Sequence, residues 1–255
     1  MPEAVLAISA AAAVAAAGWK LGALDRDGAI AATAVGGCVL GFGGWGPAVL
    51  LVLFFVSASG LSALPGGKGP KSRGHRNARQ VLANGSAAAL AAVATGAWNG
   101  WALALAGALA AATADTWATE IGVRSGATPR SILTLEPRRA GTSGAVSWPG
   151  TLASAAGAAA IGAVSAWLIP EIGIAGGAAV AAAGVAGSLV DSLLGASLQA
   201  VYRCPACGAT PEVSNHLGCP ARARRTAGVP GLDNDAVNWL ATVVGALGTW
   251  GLGRL

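Results

Sequence analysis

A chain of 255 residues with 54% apolar and only 11% charged residues, and a mean hydropathy of +0.61, carries too little charge to clothe a soluble globule of its size. The apolar runs approach or exceed spanning length, which excludes a soluble Ala-rich helical protein and predicts an all-α, polytopic integral membrane bundle, one domain over residues 1–255. The net charge of +5 does not imply nucleic acid, because the basic residues interrupt apolar runs and no nucleic-acid-binding motif frames them.

Eight segments bounded by Gly, Pro or charge read as spans, roughly 3–20, 28–44, 46–64, 80–98, 101–123, 146–168, 172–201 and 234–252. The first begins with Glu3 instead of a basic region and lacks a cleavage context, so it reads as a span and not as a secretory signal. Ala and Gly supply much of the apolar content, and small residues let helices approach closely in lipid. The seventh run is longer than a span needs, which leaves open a strong tilt, a break at Gly184 or Gly187, or continuation beyond the bilayer.

The loops after spans one, three, five and seven share one face. They carry Lys20 and Arg26; Lys68, Lys71, Arg73, Arg76 and Arg79; Arg124, Arg130, Arg138 and Arg139; and Arg203, Arg222, Arg224 and Arg225, with Arg254 alone opposite. The positive-inside rule makes that face cytoplasmic in a multi-pass protein of the cell membrane, with both termini outside.

The acidic residues fall on the same side. Asp115 and Glu120 lie in the cytoplasmic half of span five, Asp191 in the corresponding part of span seven, and Asp233 and Asp235 at the start of span eight. An ionisable residue within a span is costly and marks a functional site. Carboxylates ringed by arginine-rich loops at headgroup depth suit Mg²⁺ bridging them to phosphates, with Asn84 and Asn238 orienting the ligands. Ala110–Thr116 loosely echoes Ala186–Ser192, the trace of a weak internal repeat.

Arg73, Arg76, Gln80 and Asn84 recur at spacings of one helical face, running from the basic loop that also holds Lys68. This stripe would pass an anion inward or serve as a headgroup anchor. Gly141-Thr142-Ser143-Gly144, preceded by Arg138 and Arg139, offers hydroxyls and free N–H groups at the start of span six, suited to phosphate or to an ordinary cap. Ser188 shares a face with Asp191, whose alternative role is an interhelical hydrogen bond. Asp233 or Asn234 would also serve as an N-cap.

Cys38 stands alone in an apolar run as packing. Cys204, Cys207, His216 and Cys219, in the predicted cytoplasmic loop 202–231, form a Cys-x2-Cys-x8-His-x2-Cys array suited to a structural Zn²⁺. A free or redox-active CxxC pair is the other reading, and either one stands apart from the carboxylates.

Gln80-Val-Leu-Ala-Asn-Gly85, Ala114-Asp-Thr-x3-Glu-Ile-Gly122, Gly141-Thr-Ser-Gly-Ala-Val-Ser147, Gly187-Ser-x2-Asp-Ser-Leu-Leu-Gly-Ala196 and Asp233-Asn-Asp-x2-Asn238 occur in that order over about residues 65–250. Together they resemble the membrane family long filed as domain of unknown function ninety-two, which includes eukaryotic transmembrane protein nineteen and the plant phytyl-phosphate kinase. Thr119 and Ala145 are small departures from the family pattern that preserve hydroxyl or size. The resemblance implies an isoprenyl-monophosphate kinase using CTP or ATP. Asp115, Glu120, Asp191 and Asp235 are then expected to bind Mg²⁺ directly or through neighbours, and Arg73, Arg76, Arg138 and Arg139 to hold phosphates. A transporter or flippase of a phosphorylated lipid, and a nucleotidyl transferase making a CDP-lipid, are the alternative functions.

Overall fold

The computed structural model describes residues 2–66, 75–95, 97, 100–209 and 219–252. Eight helices occur among them: α1 (Pro2–Lys20), α2 (Arg26–Gly43), α3 (Trp45–Ala63), α4 (Ala78–Val93), α5 (Trp101–Arg124), α6 (Trp148–Leu168), α7 (Gly173–Ser197) and α8 (Asn234–Leu252). Two short antiparallel hairpins join them, β1 (Arg130–Ser131) with β2 (Ala145–Val146), and β3 (Val201–Arg203) with β4 (Arg224–Ala227).

Local chemistry sets the helix starts. Asp25 accepts from the Gly28 N–H at 2.6 Å to open α2, and Asn77 and Gln80 form a reciprocal capping box at α4. Ser147 caps α6, with Pro149 in its first turn. Asp233 Oδ1 accepts from Ala236 N at 3.1 Å at the start of α8.

Successive helices alternate in direction, so the C-terminal ends of α1, α3, α5 and α7 share one end of the bundle with the N-terminal ends of α2, α4, α6 and α8. Close approaches show it: α5 and α7 run parallel, with Ala110 against Gly184 and Ala111 against Gly187, while α8 runs antiparallel, with Gly245 against Gly107 and Thr249 donating to the Leu103 carbonyl. We call this the basic end. Four helices, α1, α3, α6 and α7, are long and apolar enough to cross a membrane by length and composition.

At the centre stands α5, packed against α3, α4, α6, α7 and α8 and buried at every residue from Ala104 to Ala114. It does not belong to the four most apolar helices. Its neighbours shield it from lipid, so close packing by Ala and Gly matters more there than hydropathy. A Cβ on Gly107 would stand 2.3 Å from the Gly245 carbonyl oxygen, which requires glycine on both sides of the α5–α8 crossing.

Helix α7 is continuous through Gly184 and Gly187, which removes the break from the three possibilities left open for this run. A Cβ at either glycine would lie within 2.7 Å of Ala110 or Ala111 Cβ, so these glycines permit close approach to α5 without bending the helix. The long run 172–201 is instead divided at Ser197, after which the chain enters β3.

Candidate functional site

Two clusters occupy the basic end. The first joins α3, α5 and the segment before α4. Arg76 pairs through its backbone with the α1–α2 connection: its N–H donates to Ala23 at 3.0 Å and its carbonyl accepts from Asp25 N at 3.1 Å. Gly28 is required there, because a Cβ would stand 2.1 Å from the Arg76 carbonyl oxygen. The guanidinium turns inward and donates to Ser59 Oγ at 2.8 Å and Ser62 Oγ at 3.4 Å. Ser62 Oγ in turn donates to Glu120 Oε1 at 2.6 Å, and Arg124 pairs with Glu120 Oε2. Arg124 also donates to the Leu64 carbonyl at 3.0 Å, and its Nε is buried with no partner among the described residues. Burial pushes the Arg76 guanidinium below its ordinary range, and the charge of Glu120 opposes that shift.

One expectation changes here. Arg76 precedes the cap of α4, so it does not share a helical stripe with Gln80 and Asn84; Gln80 serves the capping box, and Asn84 donates to the Gln80 carbonyl at 3.0 Å. Arg73 and Lys68 lie outside the described residues. Glu120 accepts from Ser62 through Oε1 and pairs with Arg124 through Oε2.

The second cluster lies where α5, α7 and α8 meet. Ala111 is closely approached by Gly187 of α7 and by Gly245 of α8, and Gly187 also abuts the Ala241 carbonyl. Asp115 is one turn past Ala111 toward the basic end and Asp191 one turn past Gly187, so the parallel helices bring both carboxylates to one level. The echoing segments 110–116 and 186–192 are therefore physically side by side. Asn238, with its amide nitrogen turned toward its acceptors, donates to Asp191 Oδ2 at 2.8 Å and to the Asn234 carbonyl at 3.3 Å. Ser188 is buried on α7, one turn deeper than Asp191.

At the rim, Arg79 reaches from α4 to the start of α8, with Nη2 2.5 Å from Asp233 Oδ2 and Nε 3.5 Å from Asp235 Oδ2. Asp233 thus pairs with Arg79 and also caps α8. Beside them a shallow groove of about 250 Å³ between α4 and α8 is lined by Arg79, Leu82, Ala83, Ser86, Asp235 and Trp239. Its lining passes from charged to apolar, and Trp239 Nε1 donates to Ser86 Oγ across it at 3.1 Å.

The Gly141–Gly144 motif does not open α6. It forms the tip leading into β2, and Ser147 is the cap. The tip instead rests on α7: Gly144, at φ +73°, leaves no room for a Cβ against Ala196, and Gly195 packs on Ser143 one turn past Asp191. Thr142, Ser143 and Arg139 are exposed, and Arg138 pairs with Glu136 at 3.2 Å.

Beyond both clusters, Cys204, Cys207 and Cys219 place their sulfurs within 4.8 Å of one another, while His216 lies outside the described residues. N–H donation from Cys207, and secondarily from Ala206, pulls the Cys204 thiol below its ordinary range against the opposing effect of desolvation.

Residues 9–246 match the family described as integral membrane protein DUF92. The chain belongs to that family. A DUF92 relative in Methanocaldococcus jannaschii, an uncharacterised membrane protein, is 37% identical over 68% of this chain and 74% of its own length. Protein PGR of Arabidopsis thaliana is 31% identical over 89% of this chain and 88% of its own length. No solved structure matches this DUF92 chain.

Sequence reasoning missed four residues of the site: Ser59, Ser62, Arg79 and Arg124. Arg124 had a local signal, since it stands four residues after Glu120 on one helix face. The serines and the reach of Arg79 to α8 depend on contacts between segments distant in the chain.

Proposed function

We propose that this protein is a membrane-embedded kinase that transfers a phosphoryl group from CTP or ATP to an isoprenyl monophosphate, with its site at the cytoplasmic face. The observation that carries this reading is the convergence of Asp115 and Asp191 at the α5–α7–α8 junction, with Asp235 and Arg79 at its rim and the Gly141–Gly144 tip on the neighbouring turn of α7. The motif resemblance to the phytyl-phosphate kinase family supplies the reaction class.

The donor set is hard oxygen from Asp115, Asp191 and Asp235, which fits Mg²⁺. When bound, that ion would neutralise phosphate charge and orient the nucleotide. Asn238 fixes the rotamer of Asp191 through its amide. Arg79 is placed to bind the acceptor phosphate after leaving Asp233. Arg76 and Arg124, two cations against Glu120, keep the neighbouring corner positive, which suits a polyphosphate. The apolar length of the α4–α8 groove would take the first part of an isoprenyl chain arriving from the lipid. Since the acceptor is already an anionic phosphate, positioning and charge neutralisation suffice and no strong general base is needed.

The test is purified protein in detergent with Mg²⁺, geranylgeranyl or phytyl monophosphate, and γ-labelled CTP or ATP in turn, with lipid products separated by chromatography. Label in a prenyl diphosphate supports the kinase and identifies its nucleotide. Label from α-labelled CTP entering the lipid instead identifies a nucleotidyl transferase. Binding of the lipid phosphate without any transfer of label turns the reading to transport, which counterflow in nucleotide-free proteoliposomes then decides.

A further inference from the structure

The β3–β4 hairpin lacks an internal reason to be stable. Two-stranded ribbons of this length are marginal in water, and this one opposes Arg203 directly to Arg224, a like-charge pair on exposed strands. Yet its base is tightly built. Ala200 N donates to the Leu232 carbonyl and Val229 N to the Leu198 carbonyl, both at 2.8 Å, and a Cβ on Gly228 would stand 2.0 Å from the Gln199 carbonyl oxygen. These contacts join the exit of α7 to the entrance of α8.

The tip supplies what the strands lack. Cys204 N donates to the Ala209 carbonyl at 2.8 Å and Gly208 N to the Cys204 carbonyl at 3.0 Å, with Gly208 at φ +71°. This tight turn aims Cys204 and Cys207 at a common point, and Cys219 closes on it after the intervening loop. Cys204 and Cys219 sulfurs are 3.7 Å apart, far from the ~2.05 Å of a disulfide. Tetrahedral thiolate coordination with Zn–S bonds of about 2.3 Å places sulfurs about 3.8 Å apart, so the Cys204–Cys219 spacing suits a shared metal as well as a thiol contact, and the gathering of all three sulfurs within 4.8 Å favours the metal.

We propose that Cys204, Cys207 and Cys219 bind one structural Zn²⁺, with a fourth position for a further ligand, and that this ion fastens the hairpin and so holds the start of α8 in place. The consequence reaches the site, because the residues directly after the hairpin base are Asp233 and Asp235, which face Arg79. The cysteine cluster is therefore tied to the carboxylates through backbone, where the sequence alone places it apart. The assignment does not depend on the kinase reading.

The experiment measures metal in full-length protein purified in detergent under reducing conditions without added metal. One Zn²⁺ per chain is expected for the wild type and for Cys38→Ser, whose thiol lies in α2, with loss of nearly all of it in Cys204→Ser and Cys219→Ser. Replacement by Co²⁺ should give the intense near-ultraviolet thiolate-to-metal absorption in the wild type and none in those variants. A metal-free wild type that shows no such band with Co²⁺, stoichiometric iron in place of zinc, or a native Cys204–Cys219 disulfide found by mass spectrometry would each overturn the site. For the positioning role, stripping the metal should accelerate amide exchange in residues 233–237 and leave α5 unchanged. Unaltered exchange there overturns that half, and neither readout uses turnover.

Discussion

The two clusters at the basic end use carboxylates in opposite ways. At the α3–α5 corner, one acid, Glu120, faces Arg124 directly and Arg76 through Ser62, and its oxygens are engaged by protein groups. At the α5–α7–α8 corner, Asp115 and Asp191 stand at one level beside an amide, with Arg79 some distance outward at the rim. A half-buried carboxylate engaged by a serine of α3 and an arginine of its own helix holds those helices in register, whereas the amide of Asn238 orients Asp191 at the junction with α8. The contrast teaches that position in a membrane helix does not by itself separate structural from functional carboxylates.

The largest effect should come from the packing beneath both corners. Gly107→Leu forces a side chain into the Gly245 backbone and should abolish the monodisperse peak in detergent size-exclusion chromatography, while Gly251→Leu, in open space, should leave it intact. A well-folded Gly107→Leu variant would refute the tight α5–α8 crossing. Next, Asp115→Asn and Asp191→Asn should each lower turnover by at least about 100-fold while the thermal midpoint stays near wild type. Glu120→Gln should do the reverse, costing about 1–3 kcal/mol by leaving the part-buried Arg124 without its counter-charge, seen as a lower midpoint in a thermal-shift assay. If the aspartate variants unfold and the glutamate variant is stable but inactive, the roles of the two corners are exchanged.

Smaller effects sharpen the contrast further. Arg79→Ala removes an ion pair whose arginine side chain is 61% exposed, so it should change stability by less than about 1 kcal/mol. It should raise the KM for the lipid phosphate several-fold more than it lowers kcat, and an unchanged KM would remove Arg79 from substrate binding. Ser59→Ala deletes one hydrogen bond to Arg76 and should cost about 1 kcal/mol, with turnover nearly intact.

Much of this architecture was legible in the chain. The eight segments, their alternation and the gathering of basic and acidic residues at one end follow from apolar run length and charge placement, which act locally and leave a periodic trace. The Asp191–Asn238 pairing was within reach too, because both residues lie at corresponding depths in predicted spans. Gln80 misled, since an amide near a helix start fits a polar stripe and a capping box equally well until the cap residue is located. The Gly141–Gly144 tip misled for a related reason: whether it opens a helix or rests against α7 depends on where residues fifty positions later pack.

Composition and periodicity by themselves determined a helical membrane bundle with small residues at its contacts and charge at one end, because burial in lipid penalises any other arrangement of such a chain. Only the tertiary structure decided that α5 is the shielded centre, that Glu120 is held by Ser62 and Arg124 while Asp115 and Asp191 come to one level on α5 and α7, and that the cysteine hairpin is bound to the start of α8. Those outcomes turn on helix phase and on close approaches of a few ångströms between residues far apart in sequence, and no one-dimensional pattern records them.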